Sequence, residues 1–153
     1  MKKALFSLLF IALAAVGFAQ QTEAELVRSA FRLEKKAAVA EFIGLSNDEA
    51  AKFWPIYEKY ETERVNSVGT PRFALISEYV KKMDKMDETS ADNLVKQSIA
   101  IQKKEVAIRE KYYAMVKKAV STEVAVKFYQ VEDVIAVGTR MELYEQIPMF
   151  QSK

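Results

Sequence analysis

The chain has neither histidine nor cysteine, so it lacks the side chain that titrates near neutral pH, the thiol nucleophile and the ordinary zinc ligands. Carboxylates are the chemistry that remains. Asp48/Glu49, Asp84/Asp87 and Glu132/Asp133 are the clusters from which a carboxylate-only hydrolase would draw an acid and a base. Each falls at a helix start or on a charged helix face, where solvation or the helix dipole accounts for it. The reading is therefore no catalytic residue and no enzyme. Met83 and Met86, interleaved with Asp84 and Asp87, offer a loose ion site, but methionines at helical spacing are ordinary core and gap-filling residues. No metal and no cofactor is expected. Gly17, Gly44, Gly69 and Gly138 stand alone, so no glycine-rich phosphate loop is present in the sequence.

Binding is the chemistry left over. Phe53, Trp54, Tyr57 and Tyr60 form an aromatic group at helical steps, and aromatic rings combine large apolar area with low side-chain entropy. Phe53 and Tyr57 read as core, whereas Trp54 and Tyr60 are candidates for contact with a client or partner. Lys104, Lys111 and Lys118 repeat every seven residues and form a basic line along one helix; they join the candidate binding set. Arg28, Arg32, Lys35 and Lys36 form a second basic strip, read as solvated.

The elements that must position these residues are helical. A first helix is expected from about Thr22, a possible cap, to Ile43, with Gly44 breaking it. Ser46 and Glu49 have the spacing of a capping box, so a second helix starts there. Pro55 lies inside its apolar stripe and predicts a bend, because proline cannot donate to the Ala51 carbonyl and its ring crowds that turn. Gly69 is expected to stop this helix in a left-handed conformation, with Pro71 opening the next. Thr89 or Ser90 then caps a long helix from Ala91 to Ala119, in which Leu94, Ile101, Ile108 and Met115 repeat every seven and Val95, Ile99, Val106, Tyr113 and Val116 fill an adjacent face. Glu105 and Arg109 are spaced to pair one turn apart. Ser121 restarts a last helix that runs to about Tyr144, and Pro148 ends it. No segment alternates as a strand would, so the expected fold is all-α: an elongated bundle of about four to five helices with a long helical hairpin, one helix bent at Pro55.

Two stretches echo each other. Lys52-Phe53-Trp54 follows Leu45-Ser46-Asn47-Asp48-Glu49, and Lys127-Phe128-Tyr129 follows Val120-Ser121-Thr122-Glu123-Val124. Together they resemble the LTxxQ-type repeats of the Spy/CpxP group of bacterial periplasmic proteins, with Ser for Thr and Glu for Gln in the first copy and both end residues changed in the second. The closing Glu142-Leu-Tyr-Glu-Gln-Ile-Pro-Met-Phe150 is similar to the tail of relatives of that group. The likeness spans about residues 40 to 150. It makes Leu45, Ser46, Glu49, Phe53, Pro55, Val120 and Ser121 the family-motif positions. It implies a helical, commonly dimeric protein of the bacterial envelope, either a stress-induced chaperone or a regulator, with or without metal sensing.

Export has its own signal. Met1-Lys2-Lys3, the apolar run Ala4 to Val16 and the small residues of Gly17-Phe18-Ala19 form a secretory leader, residues 1–19, with cleavage expected after Ala19. The run is short for a membrane span, so no stable membrane insertion is expected after cleavage. Of 23 basic and 21 acidic residues, two basic ones sit in the leader, leaving residues 20–153 balanced at 21 against 21. Such a balance gives no electrostatic reason to bind nucleic acid. Residues 20–153 are therefore read as one helical domain of a periplasmic, chaperone-like homodimer that shields unfolded or stressed envelope proteins. The alternative reading is a stress regulator holding one folded partner, a sensor kinase or an anti-sigma factor.

Overall fold

In the computed structural model, residues 18–145 and 147–150 are described, with side chains from residue 31 onward. The expected leader lies outside that range except for Phe18 and Ala19. The described chain is all helical: α1 (Phe18–Ile43), α2 (Asn47–Arg64), a π-turn (Val65–Gly69), α3 (Thr70–Lys82), a 3-10 turn (Met83–Lys85), α4 (Glu88–Ala119) and α5 (Thr122–Tyr144). No strand occurs among the described residues.

Local chemistry sets most of the boundaries. Thr22 lies inside α1, so it is not the cap expected from the sequence. Gly44 closes α1 with φ +66°, and its N–H donates to the Ala40 carbonyl at 3.1 Å. A residue with a Cβ adopts that left-handed backbone only under strain. Ser46 then caps α2 in a complete capping box: its hydroxyl accepts from the Glu49 N–H at 3.4 Å, while its own N–H donates to Glu49 Oε2 at 3.0 Å. Ser121 repeats the cap for α5, accepting from the Val124 N–H at 3.1 Å. Helix α4 begins earlier than expected because Asp87, rather than Thr89 or Ser90, is its cap, accepting from the Ser90 N–H at 2.7 Å. A carboxylate is a stronger acceptor for helix N–H groups than a hydroxyl and also opposes the dipole.

The two interior prolines behave differently from a simple stop. Helix α2 is continuous through Pro55, whose ring is exposed, as is Ala51, so water can reach the carbonyl that the missing N–H would have served. Gly69 is a correction: its φ is −62°, right-handed, and no left-handed stop exists there. Pro71 has no N–H to give to the preceding turn, and the chain absorbs the loss by widening into a π-turn in which Thr70 N–H reaches the Val65 carbonyl. The helix therefore continues, and Asn47 to Lys82 form one rod.

That rod and α4 make the long hairpin. Tyr60, Glu63 and Arg72 along the rod meet Tyr112, Lys111 and Glu105 along α4, so the two run antiparallel. Helix α4 is 32 residues long, roughly 48 Å at the usual rise. It packs against α2, α3 and α5, and α1 packs on α5. One core joins Val39 and Ile43 of α1, Phe53, Tyr57 and Tyr60 of α2, Ile108, Tyr112 and Val116 of α4, and Val124, Phe128 and Val131 of α5. Helix α3 contributes no buried side chain.

The two interior glycines next to turns should respond to alanine with opposite signs. Gly44→Ala places a Cβ on left-handed backbone and is expected to cost about 1 kcal/mol. Gly69→Ala meets its nearest obstacle at 3.9 Å in right-handed helix and is expected to gain about 0.5 kcal/mol. Urea denaturation of the two variants against the parent measures both.

Candidate binding surfaces and a buried ionic centre

Residues in the core of the bundle carry charge. Lys35 is 4% exposed and Glu132 is 2% exposed, with Glu61, Glu105 and Arg109 also buried. Lys35 Nζ donates to Glu61 Oε1 at 2.6 Å and to Glu132 Oε2 at 2.8 Å, so one ammonium joins α1, α2 and α5. Tyr57 and Tyr60 donate their hydroxyls to Glu132 at 3.0 and 2.7 Å. Arg64 completes the Glu61 carboxylate through Nε at 2.8 Å and a second guanidinium nitrogen at 3.2 Å. All four carboxylate oxygens have donors, as burial of charge requires. A second centre ties α3, α4 and α5: Glu105 accepts from Arg72 at 2.8 Å and from Arg140 at 3.0 Å. Arg109 pairs with Asp133 rather than with Glu105 as the spacing suggested, and its Nε has no partner among the described residues.

Electrostatics within these centres follow from geometry. Burial pushes the Glu61 carboxyl up, but the Lys35 ammonium and Arg64 guanidinium outweigh it and bring it down to about 2. Burial, followed by the Glu132 charge, pushes the Tyr57 and Tyr60 phenols well above their ordinary value. The Glu105 carboxyl is raised by burial and lowered by more through Arg72 and Arg140. With every oxygen of Glu61 and Glu132 occupied by a donor, the first centre is a closed ionic knot among the described residues.

Several residues read from the sequence change place. Lys35 belongs to no solvated strip, and Glu132 to no solvated acidic cluster: both are interior. Tyr60 is 1% exposed, so the structure withdraws it from any contact surface; its hydroxyl serves Glu132 and its ring meets Tyr112 and Phe128. Phe53 is core as expected. Trp54 is half-buried at the core edge, its ring 4.9 Å beneath Lys36 Nζ. Lys104, Lys111 and Lys118 are exposed. Lys111 is engaged by Glu63 of α2 at 2.6 Å, while Lys104 and Lys118 have no ion-pair partner among the described residues. Of the family-motif positions, Ser46, Glu49 and Ser121 form the caps, Leu45 and Val120 pack against the core, and Pro55 is exposed. Asp87 caps α4, and Asp48 and Glu49 lie in the first turn of α2, where anions oppose the dipole. Among the described residues no three carboxylates converge as a metal group would need.

The outer faces carry apolar side chains among the charged ones. Val95, Ile99 and Val106, expected to fill a face next to the core, are about half exposed, as are Val134 and Met141 of α5. Val106, Tyr113, Val126 and Tyr129 line a shallow trough of about 460 Å³ between α4 and α5. The lysine row does not border it. At 100° per residue, Lys104, Lys111 and Lys118 fall on the α2 flank of α4, and Val106 and Tyr113 on the α5 flank. A second groove of about 260 Å³ lies between α3, α4 and the chain's last described residues. No described helix is long and apolar enough to cross a membrane.

No family model matches the chain, and neither curated proteins nor solved structures match it. The fold and its surfaces define a class by themselves: an all-α bundle with ionic centres inside and apolar troughs outside.

Lys35→Met leaves the buried Glu132 carboxylate with no cation and Glu61 with Arg64 alone, and is expected to cost about 3–5 kcal/mol. Lys36→Met removes an exposed contact to Glu58 and should cost under about 1 kcal/mol. Because the Glu61 carboxyl is lower in the folded chain than in the unfolded one, its contribution is complete above about pH 4.5 and is lost as pH falls toward about 2. Denaturation midpoints should decline across that window by an amount worth about 3 kcal/mol, and Glu61→Gln should flatten the decline.

Proposed function

We propose that this chain is an exported, ATP-independent, chaperone-like binding protein of the bacterial periplasm that shields unfolded or stressed envelope proteins and turns over no substrate. The observation behind the reading is the apolar surface left outside an interior that buries charge: Val95, Ile99, Val106, Val126, Val134 and Met141 are exposed along α4 and α5. Contiguous apolar surface on a soluble domain marks contact with another chain. Shallow, mainly apolar troughs favour weak, reversible holding of many segments over tight recognition of one. The resemblance of the Ser46 and Ser121 repeats to the Spy/CpxP group supports the same reading, as does the secretory pattern of residues 1–19. Lys104 and Lys118, free of ion pairs among the described residues, attract acidic stretches of a client from the other flank of α4. A homodimer that buries part of the α4/α5 face fits the same surface.

Aggregation of a chemically denatured client, followed by light scattering, tests this. The parent is expected to suppress scattering at substoichiometric to equimolar ratios. Val106→Asp with Val126→Asp is expected to weaken suppression several-fold while leaving helical content unchanged. No protection at any ratio removes the reading. A single stoichiometric complex recovered from envelope extract, without protection of denatured clients, points instead to a regulator of one folded partner.

A further inference from the structure

The α3 end of the bundle is built unlike the rest. Helix α3 buries no side chain, and among the described elements α4 and the two flanking turns pack closely against it. Two helices alone cannot enclose their facing apolar stripes; a third element is needed. Here the cover is the chain's own tail. After α5 the backbone leaves the helix, and residues 148–150 belong to no helix or strand. Ile147 and Phe150 face Leu75, Ile76, Leu94 and Val95 across the groove. Among the described residues the polar tie across the groove is the Tyr79 hydroxyl, which donates to the Pro148 carbonyl at 2.7 Å.

The cover is incomplete. About 260 Å³ between the tail and the two helices stays unfilled, lined almost wholly by apolar side chains. Phe150 remains 40% exposed and Met149 87% exposed. An apolar void of this kind attracts apolar guests, because its lining has lost contact partners on one side. A tail tied to the groove, among the described residues, by one hydrogen bond and two partly seated side chains opens at low cost. The tail also displays what the groove accepts: non-helical backbone, an aliphatic and an aromatic side chain three residues apart, and a carbonyl for Tyr79.

We propose that the groove between α3 and α4 is a slot for a non-helical apolar peptide segment, filled by the chain's own Ile147–Phe150 until an apolar segment of an unfolded protein displaces it. The displacement half rests on the holding function proposed above; the slot itself does not. The tail thereby lowers the apparent affinity of the slot by the fraction of molecules in which it is seated, which keeps a sticky groove covered when no client is present.

The test uses full-length protein and a fluorescent peptide with the sequence of residues 147–153. The tail variant Ile147→Ser/Phe150→Ser empties the slot and is expected to bind this peptide roughly tenfold or more tightly than the parent by fluorescence anisotropy. Adding Val95→Asp, at a half-exposed position on the groove wall, should abolish that binding. Equal binding to parent and tail variant, no binding to either, or binding that Val95→Asp leaves intact overturns the slot. A denatured client should then compete the peptide away. A chain that suppresses aggregation while its peptide stays bound refutes the displacement step. A chain that protects no client but binds the peptide as described refutes the holding function and leaves the slot standing.

Discussion

The Lys35 ammonium must meet both Glu61 and Glu132, and the arrangement of α1, α2 and α5 follows from that requirement. An ammonium taken out of water costs several kcal/mol, recovered only with opposite charge in hydrogen-bond contact. Lys35 has two such contacts, below 3 Å each. Glu132 in turn needs Tyr57 and Tyr60, and Glu61 needs Arg64, so the set closes with two cations and two carboxylates. A closed set adds little net stability over apolar side chains of equal size, yet a slip of α1 by one turn leaves Lys35 and Glu132 without an opposite charge. The apolar residues Val39 and Ile43 tolerate such a slip far better than Lys35 does, because dispersion and burial are not directional. Register is thus set by charge, and cohesion by the aromatic cluster around it.

The same division explains the outer surface. Along α4 the inward stripe holds Leu94, Ile108, Tyr112 and Val116, but also Glu105 and Arg109. Charge occupies inward positions that apolar residues would fill in a simple bundle, and Val95, Ile99 and Val106 stand on the outside. Exposed valine and isoleucine contribute no stability to a lone chain. Interior salt centres and exterior grease are two sides of one displaced pattern.

Much of this architecture could be read from residues whose effects are local. Ser46, Glu49, Gly44 and Ser121 act within one helical turn, and each is found where spacing put it. The Gly69-Thr70-Pro71 punctuation misled because a missing donor has two remedies, a stop or a wider turn, and the choice depends on what α4 offers beyond it. Here α4 offers Glu105 to Arg72, which favours keeping the rod intact. The buried charges were illegible for a different reason. Lys35 sits in a run with Arg32 and Lys36, and Glu132 beside Asp133, where neighbours are exposed or only half buried; helical spacing cannot say which member of a charged pair faces inward. A pattern signal did exist in Glu105 and Arg109, which share the Ile101/Ile108/Tyr112 face at three- and four-residue steps, an inconsistency that a solvated helix face would not produce. The α4/α5 trough had no comparable signal, since its valines read equally well as core.

The echo between the two Ser-capped stretches turns out to have a three-dimensional content. Phe53 lies seven residues after the Ser46 cap and Phe128 seven after the Ser121 cap; both are fully buried, and their rings meet edge to face with centroids 6.1 Å apart. The next residue in each copy is an aromatic beneath a cation from the preceding helix: Lys36 Nζ stands 4.9 Å from the Trp54 ring, and Arg109 Cζ 5.3 Å from the Tyr129 ring. Each copy is therefore a helical hairpin with one grammar: a cation on the first helix, a serine cap at the turn, then a core phenylalanine and a cation-covered ring on the second. Lys127, the residue before Phe128, donates to the Ile43 carbonyl at the end of α1 at 3.2 Å, so the second hairpin also closes the exposed carbonyl end of the first. That contact has no counterpart from Lys52, which is exposed. The two hairpins share local rules but are not interchangeable, and the asymmetry follows from the centre they enclose: the first hairpin brings Lys35 and Glu61, and the second brings Glu132 alone.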